Sequence, residues 1–74
     1  MLSEDLQLAL QGKEWAASGR GARIRRNAGL TQKQLGREIN VATGTVSRWE
    51  RGERLPRPAQ AARYARLLRT LAGL

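Results

Sequence analysis

The sequence predicts an all-α fold, a compact bundle of about five short helices, and three observations carry that prediction. No stretch alternates apolar and polar residues with the period of two that a half-buried strand requires. Apolar residues recur instead at spacings of three and four, most fully in Tyr64, Leu67, Leu68 and Leu71, which make a buried stripe on one helix. Gly or Asn follows each short periodic run, at Gly12, Gly29, Asn40 and Gly52, where a helix stop is expected. At 74 residues the chain is the size of one small domain, and folding buries only about 60% of the surface such a chain exposes.

The elements follow in order. Ser3 caps a helix running to about Gln11, with Glu4 and Asp5 in its first turn and Gly12 ending it. Leu2, Leu6 and Leu10 recur at i, i+4 and i+8, with Leu8 off that stripe. So short a helix is marginal alone and must dock on something. Residues 13–28 read as a second helix despite Ser18, Gly19 and Gly21, with Ala17, Gly21, Ile24 and Ala28 on one inward face and Gly29 as a left-handed stop. Thr31 caps a third helix from Gln32 to Ile39, with Leu35 and Ile39 inward. Asn40, which tolerates positive φ, turns the chain into a fourth helix from Val41 to Arg51, with Val46 and Trp49 inward. A loop from Glu53 to Pro56 leads to the last helix, in whose first turn Pro58 is welcome. Arg63, Arg66 and Arg69 fall on the polar face of that helix, toward solvent. Residues 1–13 thus read as a helical extension, for docking or dimer contact, and 14–74 as the main domain.

Composition narrows the chemistry. The chain has neither Cys nor His, which removes disulfides, Cys/His zinc sites, Cys nucleophiles and His acid–base catalysis together. Its six carboxylates match no catalytic arrangement, and neither a P-loop nor a dinucleotide-binding motif is present, so no enzyme and no cofactor are expected. Fourteen basic residues, twelve of them Arg, give a net charge of +8 and point to a polyanionic partner. Residues 1–14 hold Glu4, Asp5 and Glu14 against Lys13, a net of −2, which leaves +10 on residues 15–74. The basic surface therefore belongs to the domain and not to a tail. No run of about 18 apolar residues spans a membrane, and the acidic start lacks the basic region of a secretory signal. A cytoplasmic, nucleoid-associated protein is expected.

Two short helices, 32–39 and about 42–51, joined by a turn of about three residues make a helix-turn-helix, whose second helix enters the DNA major groove. Over residues 20–71 the sequence resembles the lambdoid-repressor and Cro, or XRE, type of helix-turn-helix domain. The matching positions are Ile24 to Gln32, Leu35-Gly36, Ile39, Val41, Val46-Ser47, Trp49-Glu50-Arg51-Gly52 and Pro56. Asn40 departs from the family's usual Gly in the turn. Gly36 falls where the two helices approach most closely, and a larger side chain would push them apart. Leu35, Ile39, Val46 and Trp49 fill the wedge between them.

The resemblance implies particular roles. Arg25 and Glu50 match a family pair that forms a partly buried salt bridge. Thr43, Gly44 and Arg48, with Thr45 and Ser47 beside them, match the base-reading face of the recognition helix. The Arg48 fork suits guanine O6 and N7, while Gly44 replaces a residue that is often polar. Gln32, at a helix N-terminus, and Arg51, Arg54 and Arg57, around the following loop, match phosphate-contacting positions. The partner implied is double-stranded DNA, with no membrane and no small-molecule substrate, bound by a homodimer on a pseudo-palindromic operator. Leu2, Leu6 and Leu10, with Leu71 and Leu74, supply a candidate dimer surface, or else the first helix simply covers its own core. The function implied is sequence-specific transcriptional regulation, like that of phage Cro or a short repressor. Three alternatives stand beside it: an architectural or excisionase-like DNA-bending factor, a protein-interaction adaptor on the same fold, and an antitoxin.

Overall fold

The computed structural model describes all 74 residues, Met1–Leu74, and contains five helices and no strand. The helices are α1 (Glu4–Ser18), α2 (Arg20–Asn27), α3 (Gln32–Ile39), α4 (Thr43–Glu50) and α5 (Pro58–Ala72). The two long helices, α1 and α5, pack along one another and form the platform on which α2, α3 and α4 sit.

The first break in the chain differs from the sequence expectation. Helix α1 does not stop at Gly12; it runs unbroken through residues 13 and 14 to Ser18, and the left-handed break falls at Gly19, with φ of 81°. Ser3 does cap its start, accepting a hydrogen bond from the Leu6 amide. The face that docks is also not the expected one. Leu8, Ala9, Gly12, Trp15 and Ala16 are buried, whereas Leu2, Leu6 and Leu10 point outward. In α2 Gly21 and Ile24 are inward as expected, but Ala17 and Ala28 are exposed: Ala17 lies in α1, before the break at Gly19 that resets the helical phase, and Ala28 is the cap residue just past the end of α2.

Gly12 stays helical because of packing. A Cβ at that position would run into the Ala61 carbonyl of α5, its carbon only 2.7 Å away. Gly21 serves α2 in the same way, lying against the ring end of Tyr64. Small residues thus let α1 and α2 approach α5 closely, which raises contact density in a core with few large side chains. That core is centred on Leu35, Val46, Trp49, Tyr64 and Leu68, all essentially inaccessible. Trp49 and Tyr64 meet with ring centroids 5.1 Å apart in a tilted arrangement. Leu67 and Leu71 are only half-buried and pack at its edge.

Two arginines expected to face solvent have partners. The Arg63 guanidinium donates to the Ile39 carbonyl at 3.0 Å, satisfying the C-terminal end of α3 from α5. Arg66 reaches Glu4 and Asp5 at 3.6 and 3.5 Å, joining α5 to the acidic first turn of α1.

The close approach at Gly12 makes a counter-intuitive prediction. By helix propensity alone Gly12→Ala should stabilise by about 1 kcal/mol. Here the methyl group must displace backbone, so urea unfolding is expected to show a loss of about 1–3 kcal/mol. A gain in stability would show that α1 and α5 are not in backbone contact at that point.

Candidate nucleic-acid interface

The candidate site is built on α3, the turn after it, and α4. Thr31 opens α3 with a reciprocal cap: its hydroxyl accepts from the Gln34 amide, and the Gln34 side chain accepts from the Thr31 amide. Asn40 ends α3 in the left-handed region, with φ of 58° and ψ of 49°. The Val41 amide then donates back to the Gly36 carbonyl at 2.8 Å. A Cβ at Gly36 would strike the Val41 carbonyl, so the tight contact required there is with the turn itself rather than with the next helix. Helix α4 starts at Thr43 and ends at Glu50, one to two residues inside the span expected at each end, with Ala42 as an N-cap that makes no side-chain bond.

Buried residues on one side of α4 fix its orientation. Val46 and Trp49 point into the core, so Thr43, Gly44 and Arg48 are left on the exposed side, with Thr45 and Ser47 half-buried at its edges. At the far end of α4, Glu50 accepts two hydrogen bonds from Arg25 of α2, from Nε at 2.6 Å and Nη2 at 2.9 Å. The Arg25 Nη1 group donates to the Leu30 carbonyl at 2.8 Å. Gln32 of α3 completes the cluster, donating through Nε2 to Glu50 at 2.9 Å. The side chains of Arg25 and Glu50 are only 11% and 7% exposed. Burial pushes the Glu50 carboxyl upward, but the hydrogen bonds from Arg25 and Gln32 and the nearby positive charge outweigh it, holding the group below the usual carboxylate range. The same hydrogen bond with Glu50 raises Arg25.

The sequence-derived positions therefore separate into two groups. Thr43, Gly44, Thr45, Ser47 and Arg48 lie together along α4, and the Arg48 side chain makes neither a hydrogen bond nor an ion pair with the protein. Gln32 lies at the start of α3, but its side-chain amide is engaged by Glu50. Arg51 is engaged too: it pairs with Glu53 at 2.6 Å and donates to the Ser47 hydroxyl. Arg54 and Arg57 are exposed beside Leu55, and Arg57 serves as N-cap residue of α5. Sequence reasoning missed Gln32 and Arg63 as partners of buried groups. Neither had a local signal, since each bond spans at least 18 residues.

Gly44 differs from the other helical glycines. A Cβ there meets nothing within 4 Å, so the fold makes no demand for glycine at that position.

A family model described as helix-turn-helix matches residues 22–72, which include most of α2 and the whole of α3, the turn, α4 and α5. The chain belongs to the XRE-type helix-turn-helix family. Searches among curated proteins and among solved structures returned no match. The XRE-type family is one of DNA-binding transcription regulators, generally non-enzymatic, and double-stranded DNA is the partner it implies. Helix α1 lies outside the matched segment. No helix is long and apolar enough to cross a membrane.

The clamp on Glu50 predicts a pH signature. Because its carboxyl is held below the ordinary value near 4.5, the stability it contributes is fully present above about pH 5 and is lost as pH falls through the depressed value. Glu50→Gln leaves Arg25 buried without its counter-charge, and should cost about 3 kcal/mol at pH 7. The gap between variant and wild type should narrow toward pH 3. Urea titrations across that range check this, and a constant gap would show that Glu50 titrates as it does when unfolded.

Proposed function

We propose that this chain is a sequence-specific double-stranded DNA-binding transcriptional regulator of the phage Cro or short-repressor kind. It inserts α4 into the major groove and acts as a homodimer on a pseudo-palindromic operator, in the compartment that holds the nucleoid. The observation that carries this reading is the exposed side of α4, with the Arg48 guanidinium free of hydrogen bonds and ion pairs on a helix anchored at both its apolar face and its C-terminal carboxylate. A rigidly held helix presenting a free guanidinium suits bidentate bonding to guanine, worth about 1–3 kcal/mol of discrimination. Thr43 offers a methyl and a hydroxyl at the N-terminal end of the same helix. Arg54 and Arg57 are exposed for phosphate. Arg51 and Gln32 would reach phosphate after exchanging their present bonds. The basic character of this face favours DNA over a protein-interaction adaptor.

Gly44 has a role in this reading. An exposed glycine within a helix costs up to about 1 kcal/mol, and nothing in the fold requires it. It lets the start of α4 sit close to the DNA.

Two tests separate the parts of the proposal. In selection from a randomised duplex library at about 0.15 M salt, where non-specific binding is weakened, the wild type should enrich a palindrome and Arg48→Ala should lose one defined base preference. Failure of the wild type to enrich any sequence would remove the specific-regulator reading. Gly44→Ala should raise the melting temperature while weakening binding to the enriched site several-fold. An affinity that does not fall would exclude close approach at that residue. Neutralising about six phosphates would make the slope of log affinity against log salt about −5.

A further inference from the structure

Helix α2 carries four arginines among its eight residues and no carboxylate. Only Arg25 is turned to the protein, holding Glu50 and the Leu30 carbonyl. Arg20, Arg23 and Arg26 are exposed, and none of them forms an ion pair. The Arg20 guanidinium lies over the Trp15 ring of α1, 5.3 Å from its centroid, so that cation already has a partner. Arg23 and Arg26 have none. They stand three residues apart on one side of α2, separated by about 4.5 Å along its axis. Neither capping nor core packing uses these two side chains, and the reading of α4 gives them no role.

The position of α2 gives this basic strip a direction. Arg25 and Gln32 bond to the same carboxylate at the end of α4, so the last turn of α2 adjoins the start of α3. Arg26, next to Arg25 in the chain, is close enough for its charge to help hold the Glu50 carboxyl low. Arg23 continues the strip one turn back along α2, away from that junction. The strip thus begins at the helices of the candidate interface and leads outward from them. The exposed neighbour of the two arginines is Asn27, and α2's large apolar side chain, Ile24, is buried. A face without exposed aromatic or bulky apolar groups suits a phosphate backbone better than stacked bases or a lipid surface.

We infer that Arg23 and Arg26 bind the phosphate backbone of DNA flanking the half-site, beyond the base pairs that α4 reads. The inference rests on the proposed DNA reading and lengthens its footprint. Phosphate contacts carry no sequence information, so this strip adds affinity and fixes orientation without adding a base preference.

The test compares two duplexes, one ending at the enriched site and one extended at each end by about one helical turn, ~10 base pairs, of arbitrary sequence. At about 0.15 M salt the wild type should bind the extended duplex several-fold more tightly. Arg23→Gln/Arg26→Gln should lose that gain, bind the short duplex as the wild type does, and select the same sequence. On the extended duplex its slope of log affinity against log salt should be shallower by about 2 for each bound chain. Gln has nearly the helix propensity of Arg, so an unchanged circular dichroism spectrum is expected. Arg23→Lys/Arg26→Lys should keep most of the gain, because a phosphate accepts the point charge of Lys. As a control, Lys13→Gln/Arg69→Gln removes the same charge from α1 and α5 and should leave the gain intact. A glutamine variant of α2 that keeps the gain, or loses no more of it than this control, would overturn the assignment. Equal losses on both duplexes would overturn it too, placing the two arginines within the half-site. A wild type that binds the short duplex but gains nothing from the flanks refutes this inference and leaves the reading of α4 standing. Failure to enrich any sequence removes both, and shows itself before any duplex is extended.

Discussion

The carboxylate of Glu50 joins three helices that share little sequence proximity. It ends α4, receives a two-pronged bond from Arg25 of α2, and accepts from Gln32 at the start of α3. Arg25 also holds the Leu30 carbonyl, so the link between α2 and α3 is tied to the same cluster. Buried charge pairs contribute little net stability when compared with apolar packing of equal volume, but removing one member is costly. The consequence is geometric. A single anion fixes the end of α4 relative to the start of α3, and that relation sets how the exposed side of α4 is presented.

Packing supplies the complementary constraint. A domain of this size holds few large side chains in its core, and it reaches a dense interior by bringing helix backbones close together. Gly12 against Ala61, Gly21 against Tyr64 and Gly36 against Val41 all mark such approaches. One feature of this density is polar. The Tyr64 hydroxyl is fully buried with no hydrogen-bond partner in the protein, and burial, with the charge of Glu50, pushes it up to about 12. Its ring occupies the space that Gly21 leaves, and it forms the aromatic contact with Trp49 that backs α4. The cost of the orphan hydroxyl is offset by the fit of the ring.

Arginine is used in two ways across the molecule. Arg25, Arg63 and Arg66 are structural, bonded to Glu50, to the end of α3 and to the first turn of α1. Arg48, Arg54 and Arg57 are left without ion-pair partners around α4 and the following loop. Arg51 stands between the groups, engaged by Glu53 on an exposed surface where such a pair is readily exchanged. Net charge alone does not distinguish these uses, and the basic surface available to a polyanion is smaller than +8 suggests.

Local signals in the chain determined much of this. The caps at Ser3 and Thr31, the left-handed Asn40, and the inward sets Leu35, Ile39, Val46, Trp49, Tyr64 and Leu68 follow from spacing and residue type, because each depends on neighbours within one or two helical turns. The helix-turn-helix was legible for the same reason, together with the residues on its exposed side. Tertiary contact decided the rest. Gly12 reads locally as a stop, yet it lies within α1 because α5 needs the space of its missing side chain. Leucines at i, i+4 and i+8 read as a docking face, but α1 docks through Leu8, Gly12, Trp15 and Ala16, which fit closely along α5. The partners of Gln32 and Arg63 lie 18 and 24 residues away. A sequence pattern records which residues can share a helix face, but which face is buried depends on the shape of the surface it meets.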